Sequence, residues 1–465
     1  MQYQPDGGCD DELLWRGVGV IPKSTNIFST VPLFASESLL TIYITSVLLL
    51  GADPKLTKYS NAIGVLLLLV FVAEAAFRGV LGRLFVLAKP VWPLAAFVVL
   101  IAASSMFASN DNEHLITNLK VFSLFVIVYF IVVLSGRTWS MEFGLLFGLV
   151  YIWYNASWNV SLATERSRFY FDVGDEGGGA LNPNIYAFYL CSYAFIAVWN
   201  IFVVFPEKTL RSTFDYVRVM IGAAGSSFAV YEVIVKSGSR KGQILVVLLL
   251  ISVFSIVFKG GTRFSGRVTP KRLIVAVLLI LCMGFGVYKT FTSTRHTERL
   301  ITAIHWMQGK YVSEGSINHR SSLYGSALEL WLERPVFGHG VQGFAKKNFL
   351  GVYSHSNVLE ILANHGLLGF ICFYSIHVGI LWRTIVGFRR RYIVPSVFIW
   401  IVATLLSFTT FEIFAVMYYQ KTFMCLLALL LAISYRAYHV GEIKHEWNQR
   451  RRTKTNSRRP LVAVQ

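Results

Sequence analysis

The chain has 465 residues, of which 55% are hydrophobic and only 15% charged. Soluble domains carry about 25% charged residues, so this balance argues against a soluble multidomain protein and for one helical membrane domain. A net charge of +18 could suggest nucleic-acid binding, but aromatics are not interleaved with the basic tail and no binding motif occurs.

The first 37 residues form a polar N-terminal segment with Asp10, Asp11, Glu12 and Arg16. They lack the basic stretch, short apolar core and small-residue cleavage site of a signal peptide. A span takes about 17–25 mostly apolar residues. The sequence predicts 12 of them, beginning near Ser38, Ser60, Val91, Leu119, Met141, Asn184, Val219, Gln243, Leu273, Val358, Ile393 and Phe414. The expected fold is therefore all-α: a polytopic integral membrane protein with about 12 transmembrane helices. One long helical loop lies over 291–357, before the last three. Helices fill 38–235 and 371–435, and a basic tail covers 436–465.

Lys and Arg in short loops set the orientation. Arg78 with Arg83, Arg137, Lys208 with Arg211 and Arg218, Lys259 through Arg272, Arg383 through Arg391, and the tail from Arg450 to Arg459 all fall on one side. That side is expected to be the cytoplasm and to hold both termini, with the long loop on the opposite face. The tail is a solvated, lipid-facing anchor that can meet anionic headgroups. Cys9, Cys191, Cys282, Cys372 and Cys425 form no CxxC pair and read as small core residues. No HExxH or spaced Cys/His set suggests a metal, and no Gly-rich phosphate loop follows a strand.

Two segments break the charge bias. Lys236-Ser-Gly-Ser-Arg-Lys-Gly242 puts three cations into seven residues on the face that should have few. The long loop holds Arg295, Arg299, Lys310, Arg320, Arg334, Lys346 and Lys347, with His296, His305, His319, His339 and His355. A lone surface Arg is usually just solvated, and a long loop carries charge freely. Cations from two segments beside the bilayer can nevertheless converge on an anionic headgroup, and the planar fork of Arg grips phosphate oxygens with two bonds. Within the loop, Leu323, Ala327, Leu330 and Trp331 give a helical apolar stripe over Arg320–Glu333, and Pro335 stops the helix. Gly338, Gly340 and Gly343 then bend the chain. This reads as an amphipathic interfacial helix followed by a turn. His355, in Tyr353-Ser-His-Ser-Asn357, is of a type that accepts a proton near neutral pH, although a histidine taken alone is more often structural.

Three pieces in order, Ser237-Gly-Ser-Arg-Lys-Gly242, Arg320 to Gly343, and His355-Ser-Asn-Val-Leu-Glu-Ile-Leu-Ala-Asn-His-Gly-Leu-Leu-Gly369, resemble the O-antigen ligase and O-antigen polymerase superfamily of bacterial membrane glycosyltransferases. The strong resemblance covers about 236–370, and Asn182-Pro-Asn184 adds a weaker one. The resemblance implies a catalytic region over 236–370 in a bacterial inner-membrane protein whose active face is periplasmic. A glycan on undecaprenyl pyrophosphate moves to an acceptor hydroxyl, either the next lipid-linked repeat (polymerase) or lipid A–core (ligase), without metal, nucleotide sugar or other cofactor. A chain-length regulator or flippase is then an expected partner. By resemblance, Arg240 and Arg320 meet the pyrophosphate, with Lys241 and Lys236 as helpers. His355 binds or deprotonates the acceptor, and Asn357, Tyr353 and His339 orient His355 or a sugar. Many relatives have Asn directly after the histidine; Ser356 intervenes here, which puts the role of Asn357 in doubt. The His-Ser-Asn…Leu-Leu-Gly run leans slightly toward a polymerase, with the ligase second. A transporter or flippase of lipid-linked glycans would need charge deep in several spans, where Glu74 and Lys421 are the best candidates.

Overall fold

The computed structural model describes residues 30–50, 54–108, 112–159, 183–204, 213–236, 239–259, 277, 288 and 315–457. The span expected near Leu273 lies outside these residues, as do Arg295, His296, Arg299, His305 and Lys310.

Among the described residues the regular structure is helical. The N-terminal half contains α1 (Phe34–Leu50), α2 (Pro54–Phe77), α3 (Leu81–Leu87), α4 (Trp92–Ala108), α5 (Asn112–Ser135), α6 (Trp139–Asn159) and α7 (Pro183–Trp199). Then come α8 (Thr213–Tyr231), α9 (Arg240–Lys259), α10 (Gly315–Glu333), the short α11 (Gly343–Lys347), α12 (Asn357–Arg389), α13 (Pro395–Phe414) and α14 (Lys421–Ser457). Seven of these are long and apolar enough to cross a membrane, or eight if α3 and α4, bent by 52° where Pro90 interrupts the backbone donors, form one span. α1 and α9 are shorter apolar helices. The described residues thus support a multi-pass helical protein without reaching the expected 12 spans.

One apolar core runs through the bundle. α1 packs on α2 and α6, α5 on α14, α7 on α8 and α9, α9 on α13, and α12 on α4, α13 and α14. Within lipid, helices associate through close packing rather than expulsion of water, which favours small residues at their contacts. Gly144 and Gly148 of α6 supply such a contact: a Cβ at Gly144 would lie 2.8 Å from Ile44 Cβ, and one at Gly148 would lie 2.4 Å from Leu48 Cδ1.

α12 is broken. Gly366 has φ 64° and ψ −168°, a conformation that is essentially restricted to glycine. The break strands backbone groups that the helix would otherwise pair, and residues 335–340 take them up. His339 N–H donates to the Ala363 carbonyl (3.0 Å) and Gly340 N–H to that of Asn364 (2.7 Å). In return Leu367 N–H donates to Pro335 (2.8 Å) and Leu368 N–H to Val336 (3.2 Å). The two chain segments touch backbone to backbone: a Cβ on Gly338 would sit 2.5 Å from the Asn364 carbonyl, and one on Gly366 would sit 2.3 Å from that of Val336. A small apolar cluster of Leu323, Ala327, Phe344 and Ala363 joins α10, α11 and the first half of α12.

Among the last three spans, two boundaries differ from the sequence-based expectation. The span expected from Val358 is a half-helix that stops at Gly366 before the longer run to Arg389. The last helix starts at Lys421 rather than Phe414. Residues 415–420 are apolar in sequence yet form a buried turn, because Asn357 Oδ1 accepts the Met417 and Tyr418 backbone donors at 2.8 and 2.9 Å.

Gly366→Ala should be severely destabilising, by about 2–5 kcal/mol from left-handed strain plus overpacking. Gly325→Ala, in α10 with open space around it, should stabilise by about 1 kcal/mol through helix propensity. Membrane abundance and thermal unfolding in detergent of the two variants check both signs.

Candidate functional site

The site is built at the end of the bundle where α9, α12 and α14 begin and α13 ends. Ser239 starts it. Its hydroxyl accepts the Gly242 N–H (3.1 Å), capping α9, and donates to Asn184 Oδ1 (2.7 Å) at the start of α7. Gly242 lets α9 approach α7, since a Cβ there would lie 2.7 Å from Ala187 Cβ. Arg240 and Lys241 thereby occupy the first turn of α9, where the helix dipole disfavours cations and the free N–H groups favour anions. Two cations at this position do nothing for the helix itself. Lys236 ends the π-helical turn Glu232–Lys236 just before them.

Lys241 reaches across to α13. Its Nζ donates to the Phe414 carbonyl at the helix C-terminus and lies over the Phe411 and Phe414 rings at 5.6 and 5.8 Å. Arg320, from α10, is close enough to act electrostatically on Lys241 and also on Tyr324 and Tyr353. The α9 motif and the His355 motif reach the same end of α13, Lys241 through the Phe414 carbonyl and Asn357 through Glu412.

Tyr353 is 39% exposed. Burial of the remainder raises its phenol above the ordinary value, opposed by Arg320 and reinforced by Glu360. Its ring stands edge-on to His355 with centroids 4.4 Å apart. His355 has φ 62°, a left-handed backbone that costs a non-glycine residue about 1–2 kcal/mol. The flanking residues hold it there. Ser354 Oγ donates to the Ser356 carbonyl (2.9 Å) and accepts the Ser356 N–H (3.2 Å), and Ser354 N–H donates to Glu360 Oε2 (2.7 Å). Ser354 and Ser356 are buried while His355 between them is partly exposed, so the imidazole is the part of this turn presented outward.

The other predicted residues face inward. Asn357 is fully buried; besides accepting from Met417 and Tyr418, it donates to Glu412 Oε1 (3.0 Å) and Tyr374 Oη (3.2 Å). This amide therefore faces the core. His377 Nε2 stands 3.0 Å from Glu412 Oε2, extending the polar cluster along α12. His339 is also buried: Nε2 donates to the Leu330 carbonyl (2.8 Å), which leaves Nδ1 to accept from Lys347 Nζ (2.9 Å). Both ring nitrogens are thus engaged in clasping α10 to α11. His365 packs between Phe97 and Tyr418, with ring centroids 5.4 and 5.7 Å away.

Sequence reasoning missed Ser239, Glu360, Asn364 and Glu412. The cap pattern of Ser239 was legible from its position before an apolar run; the others signalled nothing, because each acts through a partner remote in the chain. It also missed charge at the opposite end of the bundle, where Glu142 takes Arg218 (3.0 Å) and Asn200 (2.5 Å), and Glu37 takes Arg137 (3.3 Å) and Trp139 (3.0 Å). Among the described residues no group of three or more His, Cys, Asp and Glu side chains is gathered as a metal site.

Residues 227–374 match the family model described as O-Antigen ligase. The match spans from α8 into α12 and includes every site residue named above from Lys236 to Asn357. It places this stretch in the O-antigen ligase and polymerase superfamily. A search of curated proteins finds no match.

The clasp makes a pH prediction. Burial holds His339 below the ordinary 6.5, against the bond to the Leu330 carbonyl. Above 6.5 the ring is neutral whether folded or not. As pH falls below it, the unfolded segment binds the proton first, so the fold loses stability there. A protonated Nδ1 would also face the Lys347 ammonium. Hydrogen exchange of residues 335–348, corrected for intrinsic rates, should rise below pH 6.5; a pH-independent profile would show that this ring is not the clasp.

Proposed function

With residues 227–374 in that superfamily as the premise, we propose that the protein is a membrane glycosyltransferase acting on a lipid-linked glycan. The donor is undecaprenyl pyrophosphate carrying the glycan, and the acceptor is a hydroxyl in a growing surface polysaccharide. The carrying observation is that Lys241, in the cationic first turn of α9, bonds the Phe414 carbonyl at the end of α13, and Asn357, two residues after His355, bonds Glu412 at the same helix end.

Each group then has a role. Negative charge grows on the pyrophosphate as the glycosidic bond breaks, and preorganised cations stabilise it most effectively where water is excluded. Arg240 and Arg320 take the phosphates, helped by the free N–H groups of α9 and by Lys236. Lys241 fixes the end of α13 and adds positive potential. His355, on its rigid turn against Tyr353, accepts the proton of the attacking hydroxyl. Tyr353 and His355 also supply a ring surface for a sugar. Asn357 and His339 act indirectly, by holding the turn and the α10–α11 clasp. In this reading the site faces the periplasm, both termini are cytoplasmic, and a chain-length regulator or flippase works beside it.

The polymerase is favoured by the His-Ser-Asn…Leu-Leu-Gly run; the ligase is the alternative, favoured by the description of the matching family. Transport is the weaker reading. The described buried acidic groups named above gather toward the two ends of the bundle, Glu142 with Arg218 and Glu412 with Asn357, rather than along a path through it.

Deleting the gene in its host and sizing the surface polysaccharide separates these. A polymerase mutant leaves single repeats on the usual carrier or acceptor; a ligase mutant leaves long chains on the lipid carrier and bare lipid A–core. Arg240→Ala, Arg320→Ala and His355→Ala should each fail to restore the wild-type ladder, the last with transfer reduced by about 10²–10⁴-fold. Normal ladders from all three, at normal protein levels, would remove the catalytic assignment and return transport as the leading reading.

A further inference from the structure

The turn that carries His355 is held from behind by a carboxylate with no place in the chemistry above. Glu360 lies one helical turn into α12 and is 3% exposed. Both of its oxygens accept: Oε2 takes the Ser354 backbone N–H (2.7 Å), and Oε1 takes the Asn364 side-chain amide (3.2 Å). The phenols of Tyr353, Tyr418 and Tyr419 lie in its field. Among the described residues it forms no ion pair with a Lys, Arg or His.

A buried carboxylate without a counter-ion is a poor packing element, and an apolar side chain of similar volume would stabilise the bundle more. Its two accepted bonds show what it does. One fixes the residue before His355. The other fixes Asn364, whose Oδ1 accepts the Phe344 N–H (2.8 Å) and whose carbonyl accepts Gly340 N–H. A glutamine would have the same shape but would turn a donor toward either Ser354 N–H or the Asn364 amide. The position requires an acceptor at both ends.

We propose that Glu360 is a positioning residue for His355. It locks the Ser354–Ser356 turn in its left-handed conformation and, through Asn364, sets that turn in register with the 335–344 segment that follows α10. The catalytic part of this proposal rests on the reading of His355 as the acceptor-side base. The chemistry of the bonds also says how to break and restore them. Glu360→Gln leaves one donor facing another. Asn364→Asp sets two carboxylates against each other. Together they restore the pattern with the polarity exchanged. The new amide at position 360 donates to the new carboxylate at position 364, while its carbonyl oxygen still accepts from Ser354. That carboxylate in turn still accepts from Phe344.

The test uses the full chain in membranes of the deletion host and reads two quantities. One is the polysaccharide ladder; the other is the rate at which diethyl pyrocarbonate modifies His355, followed by mass spectrometry with His445 as internal reference. Each single variant should cut transfer about tenfold to a hundredfold, as for a sub-ångström to one-ångström misplacement of a catalytic group. Each should also change the labelling rate at His355 and leave that at His445 unchanged. The double variant should recover most of both. Wild-type labelling of His355 in both single variants, or a double variant no better than either, overturns the positioning role. His355→Ala in the same ladder assay separates the two readings. If it is inactive while the single variants transfer normally, the Glu360 proposal alone fails. If it makes a normal ladder, the acceptor-base reading falls and the labelling rates alone decide whether Glu360 holds the turn.

Discussion

The site depends on one broken helix. A backbone within or beside a bilayer must satisfy its hydrogen bonds inside the protein, yet Gly366 interrupts α12 and leaves carbonyls and N–H groups on both sides of the break without helical partners. Residues 335–340 pair with those groups, and the close backbone approach between Gly338 and Gly366 leaves no room for a Cβ on either. The half-helix 357–365 is thereby welded to α10 and α11 instead of running straight into the bundle. The weld pairs with the Asn364 carbonyl, and the Asn364 side chain bonds Glu360, which holds Ser354 beside His355.

Around the weld the protein accepts polar burial that a purely structural bundle would avoid. Asn357, Glu360, Asn364 and Glu412 are buried, and they tie α12 to the 415–420 turn and to Tyr374 and Tyr418. Hydrogen bonds in such a network strengthen one another and resist rearrangement. A rigid network suits the proposed chemistry, in which a hydroxyl, an imidazole and a pyrophosphate leaving group must meet within a fraction of an ångström.

The cations follow a different logic. Arg240 and Lys241 occupy a helix N-terminus, where the dipole opposes them, and Arg320 adds a third positive charge nearby. On the proposed function, a pyrophosphate binding there would relieve the repulsion between Lys241 and Arg320. At the other end of the bundle the opposite arrangement holds: Glu142 with Arg218 and Glu37 with Arg137 neutralise one another.

Much of this was determined by the sequence alone. Apolar runs give helices of membrane length because hydropathy is local and additive, and Pro335 and the glycines at 338, 340 and 343 mark a turn because backbone freedom is a property of single residues. The motifs around Arg240, Arg320 and His355 were legible as residue types in order. What the tertiary structure decided is direction and partnership. Asn357 faces the core rather than a substrate, because Glu412, Tyr374 and the backbone of Met417 and Tyr418 supply its hydrogen bonds. The last span begins at Lys421 rather than Phe414, because residues 415–420 form a turn whose backbone donors meet an acceptor on Asn357, far away in the chain. Glu360 gave no signal in sequence, since a lone acid in an apolar helix gains its meaning only from the two donors that the fold brings to it. Local rules fix what a segment is; only the folded chain fixes what it touches.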